Sequence, residues 1–137
     1  MQLLMFQARR FGWKPFERLL ADAPDANEAG EAVHAAVVVF VHAEAQDATQ
    51  GSRLETKLVK NVKWLANKRG LKNIVLHSFT HLSDSTASPE YAQSFLEAAA
   101  RRLRDTGYSV WLTPFGYTCE WELAVYGEAL AKVFKAL

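Results

Sequence analysis

The run Val33-His-Ala-Ala-Val-Val-Val-Phe-Val-His42 constrains this chain more than any other stretch. β-Branched residues dominate it, and such side chains crowd a helix but fit a pleated strand. From Ala35 to Val41 no polar residue interrupts it, so neither face can be left in water. A strand apolar on both faces needs neighbours on either side and cover above and below. It is expected to be the centre of a sheet. It is also far too short to span a bilayer.

The remaining segments are read around that strand. Gln2 to Gln7 reads as a first strand, nearly continuous in Leu3, Leu4, Met5 and Phe6. Trp13 and Phe16 alternate poorly and Pro15 intervenes, which suggests an edge strand or a loop. Ala21 to Gly30 is a surface connection, and Gln46 to Gly51 a polar turn. Ser52 to Lys68 is predicted to be a helix with Leu54, Leu58, Val62 and Leu65 on one buried face, stopped at Gly70. Lys72 to His77 is a strand. Ser88-Pro89-Glu90 opens a second helix with a capping hydroxyl, a first-turn proline and a carboxylate at the positive end of the dipole. Its buried stripe is Tyr91, Phe95, Ala99 and Leu103, and Asp105-Thr-Gly107 ends it. Ser109 to Leu112 is a strand, Trp121 to Tyr126 another, predicted antiparallel to it across a turn at Gly116. Glu128 to Leu137 reads as a terminal helix with Leu130, Val133 and Phe134 inward. The order is that of an α/β fold with a mixed sheet.

At 137 residues the chain fits a single domain spanning 1–137. Its 50% hydrophobic content argues against disorder, and its single cysteine excludes an intrachain disulfide. The N-terminal arginines follow the apolar residues, the reverse of a signal peptide. A soluble, cytoplasmic protein with no membrane contact is expected. A net charge of +1 neither demands nor excludes RNA: a stable RNA-coating protein usually carries a strong basic excess, whereas a local phosphate-binding patch needs none. The lysines of the first helix and Arg101-Arg102 are solvated surface unless they touch phosphate.

Two stretches are expected to converge. Asn73-Ile-Val-Leu-His-Ser-Phe-Thr-His-Leu-Ser83 ends a strand with Phe79, Thr80 and His81; Tyr108-Ser-Val-Trp-Leu-Thr-Pro-Phe-Gly-Tyr117 ends another with Thr113, Pro114, Phe115, Gly116 and Tyr117. Strand ends are where a rigid sheet offers side chains to a ligand. The residues alone leave His81 open between a base that positions water or a ribose hydroxyl and a partner for its own loop. Phe115-Gly116-Tyr117 fits a close backbone approach with stacking rings, or a turn with aromatics in the core. His42, Ala43 and Glu44 are expected to form a pocket wall. Cys119 is a candidate nucleophile only with a base beside it; most lone cysteines are small buried hydrophobes. The four histidines lack metal-ligand spacing, and no phosphate-binding or dinucleotide glycine pattern occurs. No metal and no cofactor are expected.

Phe79-Thr-His-Leu-Ser83 followed, after a helix, by Thr113-Pro-Phe-Gly-Tyr117 resembles the N-terminal editing domain of archaeal threonyl-tRNA synthetase. That family has a similar Phe-Ala-His-Leu-Ser and Ala-Pro-Phe-Gly-Tyr. The match is clearest from Asn73 to Gly127. The resemblance implies a D-aminoacyl-tRNA deacylase-like fold, a homodimer, and a freestanding relative without a synthetase body. It implies hydrolysis of the ester on a mischarged tRNA, above all serine on tRNA for threonine. The implied partners are a tRNA acceptor end and threonyl-tRNA synthetase. Ala43, Phe79, Thr80, Phe115, Gly116, Tyr117, Thr118 and Cys119 would bind substrate, and His81 would be catalytic. At Thr118 and Cys119 the family pattern has a tyrosine and a lysine, and a thiol cannot offer a positive charge to an oxyanion. Lys132 stands where the pattern has a glutamate and is the candidate to restore that charge. The departures leave two alternatives: a binding module that has lost the reaction, and a deacylase of D-aminoacyl-tRNA or another small ester.

Overall fold

In the computed structural model, which describes residues 1–137, the chain is built around strand β2 (Glu31–His42). β2 pairs in parallel with β3 (Asn73–Ser78), and β3 in parallel with β4 (Ser109–Leu112). On its other side β2 runs antiparallel to β1 (Gln2–Arg18). The two parallel pairs are joined by crossover helices, α1 (Arg53–Asn67) and α2 (Pro89–Asp105).

Both faces of β2 are buried, as its composition predicts. Val37, Val39 and Val41 face the helices and pack with Leu54, Leu58 and Phe95. Val38 and Phe40 face the other side, among Phe11, Trp13 and Val75. Full burial of each such side chain stabilises the fold by about 1.5–3 kcal/mol. The predicted faces of both helices are the buried ones: Leu54, Leu58, Val62 and Leu65 in α1, Phe95, Ala99 and Leu103 in α2. Ser88 caps α2, its hydroxyl accepting from the Tyr91 N–H at 3.2 Å.

Three readings are corrected. The first strand does not stop at Gln7; it continues through Trp13 and Phe16 to Arg18. Register shifts between Ala8 and Arg10 and between Pro15 and Glu17 break the alternation that would reveal one strand, and a bulge is where a proline is tolerated. Second, β4 forms no hairpin with β5 (Tyr117–Val125); β5 pairs instead with the second half of β1. Third, Glu128 to Leu137 is not a helix. A 3-10 turn (Ala129–Ala131) leads into β6 (Lys132–Ala136), which pairs with Gln2–Phe6 of β1. β5 leaves that half of β1 without a ladder, and a ten-residue helix is marginal alone, so edge pairing wins.

The route from β4 to β5 shapes the pocket. These strands stand at opposite ends of the order β4-β3-β2-β1-β5. In a flat sheet they would lie about 19 Å apart at roughly 4.8 Å per strand. The link from Leu112 to Tyr117 spans about 17 Å fully stretched, yet it contains a turn with Gly116 at φ 86°. The sheet therefore curls until its two ends approach each other.

Candidate functional site

The parallel strands β2, β3 and β4 end together, and a pocket of about 210 Å³ lies beyond them. Ala43 follows β2, His77, Ser78 and Thr80 come from the end of β3, and Thr113 to Tyr117 follow β4. Thr86 and Ala87 just before α2, Pro89 and Ala92 in its first turn, and Leu19 and Leu20 just after β1 close it. Crevices outside the carboxyl ends of parallel strands are the usual ligand sites of α/β sheets. Two larger, shallower depressions have charged walls, one including Arg10, Lys14, Glu31 and Glu122, the other Lys14, Arg18, Asp25 and Glu28. The strand-end pocket differs in being mostly apolar with a few convergent polar groups, the usual character of a small-molecule site.

The two stretches thus meet. The pocket brings together Ala43, Thr80, Phe115, Gly116 and Tyr117 of the expected substrate-binding set. Gly116 is required twice over: its φ is 86°, and a Cβ there would stand 2.9 Å from the Ala23 Cβ. Its carbonyl accepts from the Leu19 N–H at 2.7 Å and the Leu20 N–H at 3.2 Å. The Tyr117 hydroxyl donates to the Pro24 carbonyl at 2.8 Å. This is how the segment after β1 becomes a pocket wall.

Five of the expected residues lie outside the lining. Phe79 turns to the other face of the sheet and packs on Phe40, ring centroids 5.0 Å apart. His81 is exposed and meets the Phe79 ring edge-on at 5.0 Å. Thr118 is exposed on β5, its hydroxyl accepting from the Glu17 N–H at 3.1 Å. Cys119 packs beside the aromatic cluster of that face, where burial pushes its thiol pKa up; a thiol so shifted is a poor nucleophile. Lys132 is on β6, its ammonium donating to the carbonyls of Tyr126, Gly127 and Glu128 at 3.0 to 3.3 Å.

His77 and Thr113 are pocket residues outside the expected substrate-binding set, although Thr113 is among the expected strand-end residues. His77 Nδ1 lies 2.8 Å from the Thr113 hydroxyl. Burial lowers the His77 pKa to about 4, so the ring is neutral near pH 7. Thr113 opens the second motif and His77 stands two residues before the first, both at strand ends; that position was the available signal for His77.

The loop carrying His81 is fixed from below. His42, fully buried, accepts the Leu82 N–H on Nδ1 at 2.9 Å, so the hydrogen sits on Nε2, which contacts the Ser85 carbonyl at 2.7 Å. Ser83 donates from its hydroxyl to Glu44 Oε2 at 2.6 Å. Glu44 Oε1 also accepts from the Met1 ammonium at 2.7 Å, and these bonds hold its carboxyl at a pKa of about 2, the ammonium being the largest cause. The Met1 ammonium also reaches Asp47 at 3.1 Å.

No Asp, Glu, Lys or Arg lines the pocket. What it offers is neutral: the hydroxyls of Ser78, Thr80, Thr86 and Thr113 and the His77 ring. Such a lining can orient a small polar group and a water without charged acid–base chemistry. No group of three or more His, Cys, Asp or Glu side chains stands together as metal ligands would. No helix is long and apolar enough to cross a membrane.

Comparison with known proteins agrees with the motifs. The profile of the archaea-specific editing domain of threonyl-tRNA synthetase matches residues 1–137. The threonine–tRNA ligase of Hyperthermus butylicus is 30% identical over 138 residues, covering 97% of this chain and 22% of that protein. That of Staphylothermus marinus is 32% identical over 141 residues, covering 100% of this chain and 22% of that protein. The chain thus spans about a fifth of the length of these relatives. Among solved structures, one described as a c-Myc DNA unwinding element binding protein superposes with a TM-score of 0.73 at 12% identity, covering 100% of this chain and 99% of that one. At that identity the likeness concerns the fold alone.

Proposed function

The chain belongs to the family of archaea-specific editing domains of threonyl-tRNA synthetase and has the D-aminoacyl-tRNA deacylase-like fold; from that premise we propose that it hydrolyses the ester joining a wrong amino acid to the terminal ribose of a tRNA. The substrate we assign is serine on tRNA for threonine. A synthetase pocket separates similar small amino acids weakly, which is why a second, hydrolytic site is needed. The observation that carries the reading is the convergence of the two motif-bearing strand ends on one small, mostly apolar pocket whose few polar groups are uncharged.

The chemistry suits that lining. An aminoacyl ester is already reactive, so a positioned water and the substrate's own ribose hydroxyl supply much of what is needed. In this reading the His77–Thr113 pair and the threonine hydroxyls hold the amino-acid end. The Phe115–Tyr117 turn receives the adenosine. His81 stays outside the lining, and Lys132 keeps its carbonyl contacts. The test is deacylation of a panel of aminoacyl-tRNAs carrying serine, threonine, alanine and D-amino acids. Preferential release of serine supports the reading; preferential release of a D-amino acid transfers the site to the alternative ester class.

One observation favours a second reading. With Cys119 against the aromatic face and Lys132 held by carbonyls, no cationic side chain lines the pocket. A binding module for an aminoacyl-adenosine end needs none. Tight binding of a non-hydrolysable seryl-adenosine analogue without turnover of any ester identifies that case. The family reading also carries a homodimer and an association with threonyl-tRNA synthetase.

A further inference from the structure

We propose that the outer face of α1 docks the phosphate backbone of the tRNA, at a surface separate from the pocket. On a helix of 3.6 residues per turn, Arg53, Lys57, Lys60, Trp64 and Lys68 fall within an arc of about 80°. Lys68 has helical dihedrals although it follows the last α1 residue. Lys135 of β6 adds a fifth cation, its ammonium 5.5 Å from the centre of the Trp64 ring. Trp64 is 40% exposed, unusual for so large an apolar side chain. Five of the chain's 16 lysines and arginines are therefore gathered on one face of a protein whose net charge is +1.

Two features separate this stripe from an ordinary solvated helix face. First, none of its five cations is within ion-pair distance of a carboxylate, Arg53 donating only to the neutral Gln50 Oε1 at 2.8 Å. Second, the stripe sets like charges at helical neighbours: Arg53 with Lys57 four residues on, Lys57 with Lys60 three on. Such pairs destabilise a helix, and opposite charges there would stabilise it. Arg53 moreover sits in the first turn, where the dipole disfavours a cation. No ion pair within the chain offsets this repulsion; a polyanion would.

The occupant is RNA rather than an acidic protein because of geometry and the aromatic. α1 follows β2 and precedes the parallel β3, so it runs back from the end of the sheet that holds the pocket. The stripe extends about 22 Å along the helix at 1.5 Å per residue, room for several successive phosphates of one strand. An exposed indole among unpaired cations is the usual composition of a surface that tracks a nucleic-acid strand. The choice of tRNA rests on the reading of the pocket as an acceptor-end site.

The experiment compares wild type with the triple variant Lys57→Gln, Lys60→Gln, Lys68→Gln, using an uncharged tRNA transcript and, separately, the non-hydrolysable seryl-adenosine analogue. Glutamine keeps helix propensity and removes charge. tRNA affinity is measured from about 50 to 200 mM salt, the range over which phosphate contacts dominate. The expected result is a loss of tenfold or more in tRNA affinity at low salt, a salt slope shallower by about 2 to 3, and unchanged affinity for the analogue. Trp64→Ala should weaken tRNA binding with the salt slope retained. Equal tRNA affinity and slope in wild type and triple variant overturn the proposal and leave the stripe to a protein partner, as does a wild type that binds no tRNA. Failure of the analogue alone strikes the pocket reading and leaves the stripe standing.

Discussion

His77 couples stability to pH more directly than any other residue of the pocket. Its folded pKa of about 4 lies below the ordinary 6.5 because burial disfavours the charged ring. Between those values the unfolded chain holds a proton that the folded chain lacks, so stability rises with pH across this window and falls on acidification from 6.5 towards 4. A shift of this size corresponds to about 3 kcal/mol. Glu44 adds a second limb of the same sign, lost as pH falls from its ordinary 4.5 towards about 2. Thermal melts from pH 7 to 4 should show wild type losing stability steadily, while His77→Phe, less stable at pH 7, should have a flatter profile. An unchanged slope in His77→Phe would contradict the assignment. At Gly116 the positive φ and the approach of Ala23 and Leu20 forbid a side chain. Gly116→Ala is expected to cost about 1–3 kcal/mol and to lower affinity for the seryl-adenosine analogue by moving Leu19 and Leu20; a variant of normal stability and affinity would show that the turn is not built as described.

At the scale of elements, the start of α2 links fold to site, because Pro89 and Ala92 line the pocket just past the Ser88 cap. Ser88→Ala should cost about 0.5–2 kcal/mol of stability, read by denaturant midpoint at constant slope; no loss would mean that the hydroxyl contributes nothing as a cap. This cap was legible in the sequence, as were β2, β3, β4 and both helices, because each is announced by its own periodicity or terminal chemistry. What was not legible depends on distant partners. Nothing within Trp121–Tyr126 says that its ladder is with β1 rather than β4. Leu130, Val133 and Phe134 keep helical spacing, yet only Leu3 and Met5 across the ladder make Val133 and Lys135 a strand. The site divides likewise. Ala43, Thr80 and Phe115–Tyr117 were visible as strand-end residues. Phe79 and His81 were placed with them, but their side chains leave on the opposite face from Thr80, and motif order alone does not reveal which face meets the helices.

For the whole molecule, the proposed homodimer has a physical motive. Phe134 is 55% exposed and Trp121 42%, both on strands rather than loops. β6 moreover pairs only with β1 and leaves an open edge. Sedimentation at micromolar concentration should give twice the chain mass, and Phe134→Lys should shift the equilibrium towards monomer. A wild type that remains monomeric would contradict this. The curl of the sheet, which brings the β4 and β5 ends and the Leu19–Leu20 segment around one pocket, leads to the central claim: that this pocket removes a wrong amino acid from tRNA. The most direct measurement is the rate of release of serine and of threonine from tRNA for threonine, by wild type and by Thr113→Val. The expected result is faster release of serine than of threonine by wild type, and at least a tenfold loss in Thr113→Val with the fold intact. Release of neither amino acid by wild type, or undiminished release by Thr113→Val, would contradict it.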